Sequence, residues 1–139
     1  MEPIHHNVTV ACSPERAFEV FTTGMGTWWD PAYTPDPATY TGIDLDPRVG
    51  GAVALRHGDA TYPFGVVTHW QPGEHYQQTF WLAMDRAHPS TVDVRFTPDG
   101  GVCLVTFEHG GWSAANVAAR DKYGDWSVLL GRFGEAAAA

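Results

Sequence analysis

The sequence predicts an α+β fold in which a curved antiparallel sheet of about seven strands wraps around a long C-terminal helix. From Gly50 onward, short runs of alternating apolar residues are separated by Gly, Pro and Asp turns. Near the end, Ala119, Tyr123, Trp126, Leu129, Leu130 and Phe133 recur at helical spacing. A length of 139 residues, with 44% hydrophobic and 17% charged content, suits a single domain spanning 1–139 with its own core and is too short for two ordinary ones.

Ile4 to Ala11 reads as the first strand, with Ile4, His6, Val8 and Val10 on one face. Ser13 then caps a short helix with Pro14 at its first position and Ala17, Phe18, Val20 and Phe21 as its apolar face. Gly24-Met25-Gly26 breaks that helix, and Thr27-Trp28-Trp29 begins a second short one that stops before Asp30-Pro31, because a residue preceding proline avoids the helical region. Four prolines between Pro31 and Pro47 make a loop with one weak strand, Tyr40 to Leu45.

The next five strands are Gly51 to His57, Thr61 to Trp70, His75 to Ala83, Ser90 to Thr97 and Val102 to His109. Tyr62, Phe64 and Val66 share one phase, while Asp93 and Arg95 oppose Val92, Val94 and Phe96, so that strand has one wet and one buried face. The last helix runs from a Ser113 cap to about Phe133, followed by a frayed Ala136 to Ala139 end. Gly124 and Gly131 within it each cost ~1 kcal/mol relative to Ala, which close packing on the sheet would offset. A strand, two short helices, six strands and a helix bury the helical stripe and the inner sheet face together only if the sheet curls round the last helix. This is a helix-grip arrangement.

A net charge of −8 argues against a phosphate-backbone partner and for a neutral ligand, so no nucleic acid is expected. The opening residues lack a basic head and apolar run, and no stretch has the ~18 apolar residues of a membrane span, which makes the cytoplasm the expected location. Cys12 and Cys103 are too few for a disulfide scaffold and are expected to be reduced.

Several motifs together resemble one family. Val8-Thr9-Val10-Ala11-Cys12-Ser13-Pro14-Glu15-Arg16-Ala17-Phe18 is similar to its opening strand and helix start, Trp28-Trp29 to its second helix, and Gly50-Gly51 to its glycine pair. Gly65-Val66-Val67 with Trp70-Gln71-Pro72, then Thr79-Phe80-Trp81, resemble its hairpin and the strand that follows. Thr106-Phe107-Glu108-His109-Gly110-Gly111-Trp112 with Gly124-Asp125-Trp126-Ser127-Val128-Leu129-Leu130 resembles its ending. In order and spacing these resemble the START/Bet v 1-like (SRPBCC) superfamily, and within it the small domains related to the activator of heat-shock protein 90 ATPase. The resemblance implies a helix-grip fold with a ligand cavity between sheet and helix. It also implies that the first and last strands pair antiparallel, which would put Cys12 and Cys103 near each other at one sheet end. Gln77 and Gln78 stand where the family usually carries apolar residues, leaving open which of them faces inward. The co-chaperone that names the family has a further domain without a counterpart in these residues, so its chaperone-activating role is expected to transfer poorly.

His109 ends the last strand in phase with Cys103, Val105 and Phe107, and so would present an imidazole to the interior as donor or general base; the alternative is a structural histidine bonded to backbone. The other histidines show no HExxH or His-x-His spacing, and Asp44-Leu45-Asp46 lacks the calcium-loop glycine, so no metal is expected. No phosphate loop, dinucleotide fingerprint or nucleophile elbow is present, and no cofactor is expected. Trp28, Trp29, Phe64, Phe80, Phe96, Phe107, Tyr123 and Trp126, with Val66, Val94, Val105 and Leu130, either line a hydrophobic pocket or fill it.

The leading reading is a carrier or sensor, and whether the chain also catalyses a reaction is left open. A small hydrophobic or aromatic ligand would lie between sheet and last helix, oriented by Thr68, Gln78 or His109. The alternatives are a lyase or cyclase acting on a polyketide-like carbonyl substrate with His109 as base, and a chaperone-interacting protein marked by an exposed apolar patch. Oligomeric state is left open.

Overall fold

The computed structural model describes residues 2–139. Strand β1 (Ile4–Val10) is followed by helices α1 (Pro14–Phe21) and α2 (Met25–Trp28), then by β2 (Tyr40–Leu45), β3 (Ala52–His57), β4 (Ala60–Gln71), β5 (His75–Phe80), β6 (Ser90–Asp99), β7 (Val102–Gly110) and the C-terminal helix α3 (Trp126–Ala138). The seven strands form one sheet in the order β1-β7-β6-β5-β4-β3-β2, with every pair antiparallel. This is the expected helix-grip architecture, with β1 closing beside β7.

Ser13 caps α1 as its sequence indicates, its side chain accepting from the Arg16 amide at 3.2 Å. Helix α1 buries Ala17, Phe18, Val20 and Phe21, and α3 buries Trp126, Leu129, Leu130, Phe133 and Ala137. Phe133 meets Phe21 and Trp28 at ring distances of 5.2 and 5.6 Å, which joins the two helical faces over the sheet. The β1–β7 register puts Val10 opposite Cys103, so Cys12 lies two residues beyond that pair, and both thiols are unbridged.

Several expectations are corrected. The second helix starts at Met25 with Gly26 inside it, because Gly26 lies against β2: a Cβ there would sit 2.6 Å from the Ile43 nitrogen. Strand β5 ends at Phe80 rather than Ala83, because the chain turns directly afterwards, Met84 donating its amide to the Trp81 carbonyl and Ala83 taking a left-handed φ of 58°. The final helix does not begin at Ser113. Asn116 donates to the carbonyls of His88, Pro89 and Gly111 and accepts from the Ser113 amide, holding this stretch as a turn. A 3-10 turn, Val117–Tyr123, follows before α3 begins at Trp126. Residues 136–138 are helical, with Ala137 buried, rather than frayed. Gly124 and Gly131 have no atom within 4 Å of a notional Cβ, so sheet packing does not account for them.

Two bulges in β4 shift the expected alternation. Val53 pairs with Gly65 and Ala54 with Pro63, leaving Phe64 as an extra residue; Val67 pairs with Gln78 and His69 with Gln77, leaving Thr68 as another. Val67, not Val66, therefore points inward, and Thr68 is exposed, donating to Gln77 Oε1 at 2.9 Å. On β5, Tyr76, Gln78 and Phe80 face inward and Gln77 outward.

Candidate functional site

The sequence left open whether the interior aromatics fill the space under the sheet or enclose a pocket. Both occur, at different depths. Deep in the fold, Val94, Phe96, Val105, Phe107 and Leu130 are buried side chains of the packed core. Phe107 contacts Trp126 at a ring distance of 4.6 Å. Trp28, Phe64 and Gln78 border a void of only about 10 Å³, the room of a single water. Gln78 is 1% exposed and spends its amide inside the fold, accepting from the Tyr76 hydroxyl at 2.7 Å and donating to the Thr79 carbonyl at 3.0 Å.

Nearer the surface a cleft of about 370 Å³ opens between the start of α3, the Val117–Tyr123 turn, the loop after β5 and a 3-10 turn, Pro31–Tyr33, that follows α2. Trp29, Phe80, Trp126 and Leu129 contribute to its lining, together with Tyr33, Leu82 and Tyr123. Of the residues singled out in the sequence, Trp29, Phe80, Tyr123 and Trp126 meet here. Val66 and Thr68 lie outside it, and the deep-core group stands behind it. Sequence reasoning did not pick out Tyr33, Leu82, Lys122 or Leu129. Leu129 was visible as part of the helical stripe, but the other three lie on irregular segments that only the fold brings together.

The polar atoms of the lining aromatics are bonded to the protein. Trp29 Nε1 donates to the Tyr33 carbonyl at 3.3 Å, the Tyr123 hydroxyl donates to the Leu82 carbonyl, and Trp126 Nε1 donates to His109 Nδ1 at 3.0 Å. What these residues offer a ligand is therefore mainly apolar surface. Burial raises the Tyr123 phenol to about 12, keeping it a donor at neutral pH.

His109 sits one layer behind this wall, fully buried among the rings of Phe80, Trp112, Tyr123 and Trp126. An indole N–H can only donate, so Nδ1 must carry a lone pair and the ring proton belongs on Nε2. Nε2 donates to Ser90 Oγ at 2.7 Å, and the Ser90 hydroxyl donates to the Phe80 carbonyl at 2.9 Å. Burial and, to a lesser extent, the Arg120 charge lower the imidazole pKa to about 3, so the ring stays neutral. Neither nitrogen is free for proton transfer to a ligand. The imidazole instead fixes Trp126, which does line the cleft.

The charged groups are at the rim. Asp125 Oδ2 accepts the Tyr33 hydroxyl at 2.9 Å, and Lys122 Nζ donates to the Ala83 carbonyl at 2.9 Å. The hydrogen bond to Asp125 holds the Tyr33 phenol above its usual range. Ala83 adopts a left-handed φ of 58°, a strained conformation for a residue with a Cβ, in a loop tied to the Val117–Tyr123 turn through Lys122 and Tyr123. Among the described residues no three His, Cys, Asp or Glu side chains are grouped to hold a metal ion, and no helix is long and apolar enough to cross a membrane.

Residues 11–138 match the family described as Activator of Hsp90 ATPase homolog 1-like protein. No curated protein matches the sequence. Among solved structures, the chain is similar to the Aha1 dimer from Colwellia psychrerythraea, at 20% identity and a TM-score of 0.73, covering 99% of this chain and 97% of that one. It is also similar to an anthrahydroquino-gamma-pyrone synthase, Txn09, at 24% identity and a TM-score of 0.65, covering 97% and 96% of the two chains. Protein CV1439 from Chromobacterium violaceum aligns over 100% of this chain and 99% of its own, at 16% identity and a TM-score of 0.69. At these identities the likeness is one of fold.

Proposed function

This chain belongs to the family of activator of Hsp90 ATPase homolog 1-like proteins, and from that premise we propose that it binds a small hydrophobic or aromatic ligand in the cleft at the mouth of the fold, as a carrier or sensor. The observation that carries this reading is an apolar space of about 370 Å³ whose aromatic walls keep their polar atoms bonded to the protein. That volume falls within the range of small-molecule sites, and walls of this kind give affinity through apolar contact. The site lies at the mouth and not deep under the sheet, where side chains occupy the space.

A cyclase-type reaction with His109 as base has less support, because both imidazole nitrogens are engaged behind the cleft wall. A chaperone-docking role would call for an exposed apolar patch. Among the described residues the exposed large apolar side chains are Val49, in the loop between β2 and β3, Tyr62 on β4 and Val128 on α3. The unbridged thiols of Cys12 and Cys103 are compatible with a cytoplasmic setting.

Native mass spectrometry of protein purified gently from its own host tests the proposal. A co-purifying apolar compound, lost when Leu82→Trp fills the cleft of a still-folded protein, is the expected result. No bound compound, together with no thermal shift across a panel of aromatic and fatty ligands, would overturn it.

A further inference from the structure

This inference rests on the cleft being a ligand site and concerns the charge of its occupant. Five lining residues are aromatic: Trp29, Tyr33, Phe80, Tyr123 and Trp126. Neighbouring rings stand almost perpendicular, Trp29 to Trp126 at 82° and 5.8 Å, and Phe80 to Tyr123 at 82° and 5.4 Å. These rings make the wall of the cleft largely aromatic. A ring face carries the negative end of the aromatic quadrupole and attracts cations.

The Tyr33 side of the rim adds full negative charge. Asp125 lines the cleft there, with Oδ2 bonded to the Tyr33 hydroxyl at 2.9 Å. Asp30, which caps the turn carrying Tyr33 by accepting from the Ala32 amide at 3.0 Å, lies close enough for its charge to act on the Tyr33 phenol. The lining also holds a cation, Lys122, which keeps its charge and whose ammonium is held against the Ala83 carbonyl on the β5-loop wall. The chain as a whole carries −8, which favours cations over anions at its surface.

We propose that the cleft takes an organic cation, an ammonium on an aromatic or alkyl body, with the body against Trp29, Phe80 and Trp126 and the charge facing Asp125. Asp125 is then the specificity-determining residue of the site. Asp125→Asn isolates its charge, because an Asn carbonyl can still accept the Tyr33 hydroxyl and Asn serves as well as Asp at the start of a helix.

The test is calorimetric titration at pH 7 and low salt with three probes of matched shape, 2-phenylethylammonium, 2-phenylethanol and phenylacetate. The expected result is an ammonium affinity about tenfold above that of the alcohol, with phenylacetate weakest, in line with a partly desolvated cation–aromatic contact beside a carboxylate. In Asp125→Asn the ammonium should fall to the level of the alcohol, whose own affinity stays constant, and added salt should weaken only the ammonium. Equal binding of ammonium and alcohol to the unmodified protein, or an equal loss of both in Asp125→Asn, would overturn the charge assignment while leaving the cleft as an apolar site. Tightest binding by phenylacetate, lost in Lys122→Met, would overturn it in favour of an anion site. No binding by any of the three would overturn both this inference and the ligand-binding reading beneath it.

Discussion

Trp126 donates its indole proton to Nδ1 of His109 across 3.0 Å, which ties the first residue of α3 to the end of β7. The bond fixes the imidazole tautomer, and the imidazole in turn sets the angle at which Trp126 faces the cleft. A histidine that looks catalytic in the sequence thus acts as a positioning residue in the structure.

The buried, neutral His109 makes stability depend on pH. Its folded pKa of about 3 lies below the ordinary 6.5, so between those values the unfolded chain binds a proton that the native state refuses. Its contribution is fully present above pH 6.5 and is lost as pH falls, at up to roughly 1.4 kcal/mol per pH unit. Urea unfolding at pH 7, 5.5 and 4.5 should show a slope against pH that is shallower by about one proton in His109→Gln. Equal slopes in the two proteins would remove the linkage.

Ser90 carries the other end of the same chain of hydrogen bonds. Ser90→Ala leaves Nε2 of His109 buried without its acceptor, which should cost about 1–3 kcal/mol in chemical denaturation. Trp126→Phe should cost at least as much, because it removes the donor to Nδ1 together with part of the cleft wall. A loss below a few tenths of a kcal/mol in both would mean that the network contributes nothing.

Glycines separate close packing from open space. Gly26→Ala drives a Cβ against the Ile43 nitrogen and should destabilise by roughly 1–3 kcal/mol, the usual cost of overpacking. Gly131→Ala meets nothing within 4 Å inside α3 and should stabilise by about 0.5–1 kcal/mol, raising the melting temperature by a few degrees. A melting temperature lowered by Gly131→Ala would restore a packing role for that glycine.

The β5 loop offers a test of strain. Ala83 holds a left-handed φ of 58°. Ala83→Gly relieves a steric cost of roughly 1–2 kcal/mol and adds a smaller backbone-entropy cost, so thermal unfolding should shift upward or stay level. A clear drop in melting temperature would show that the methyl group of Ala83 contributes packing that outweighs the strain.

These tests bear on parts of the chain that differ in how openly the sequence declares them. The seven strands were legible because one face of the sheet is buried and the other wet, as the alternation of Val92, Val94 and Phe96 with Asp93 and Arg95 shows. The Ser13-Pro14 helix start was legible because its signal is local. The start of the last helix was not. The apolar spacing runs back through Ala119 and Tyr123, but Asn116 bonds to carbonyls of a distant loop and to Gly111, and no local pattern reveals such contacts. Strict alternation puts Val66 and Thr68 on the inner face, because a bulge leaves little trace in an alternating run. The aromatic half of the cleft was visible in Trp29, Phe80, Tyr123 and Trp126, whereas Tyr33, Leu82 and Lys122 join it only through loops brought together by the fold.

The most direct test of the cleft reading is a two-dimensional nitrogen–proton spectrum of the six tryptophan indole groups, recorded while a neutral aromatic probe such as 2-phenylethanol is added. Trp29 and Trp126 line the cleft, while Trp70 packs on Phe18 and Trp81 stacks beneath Arg86. Saturable shifts at the Trp29 and Trp126 signals, with Trp70 and Trp81 unmoved, are the predicted result. Shifts centred on Trp70 or Trp81, or none at all up to the solubility limit, would contradict a binding site at the mouth of the fold.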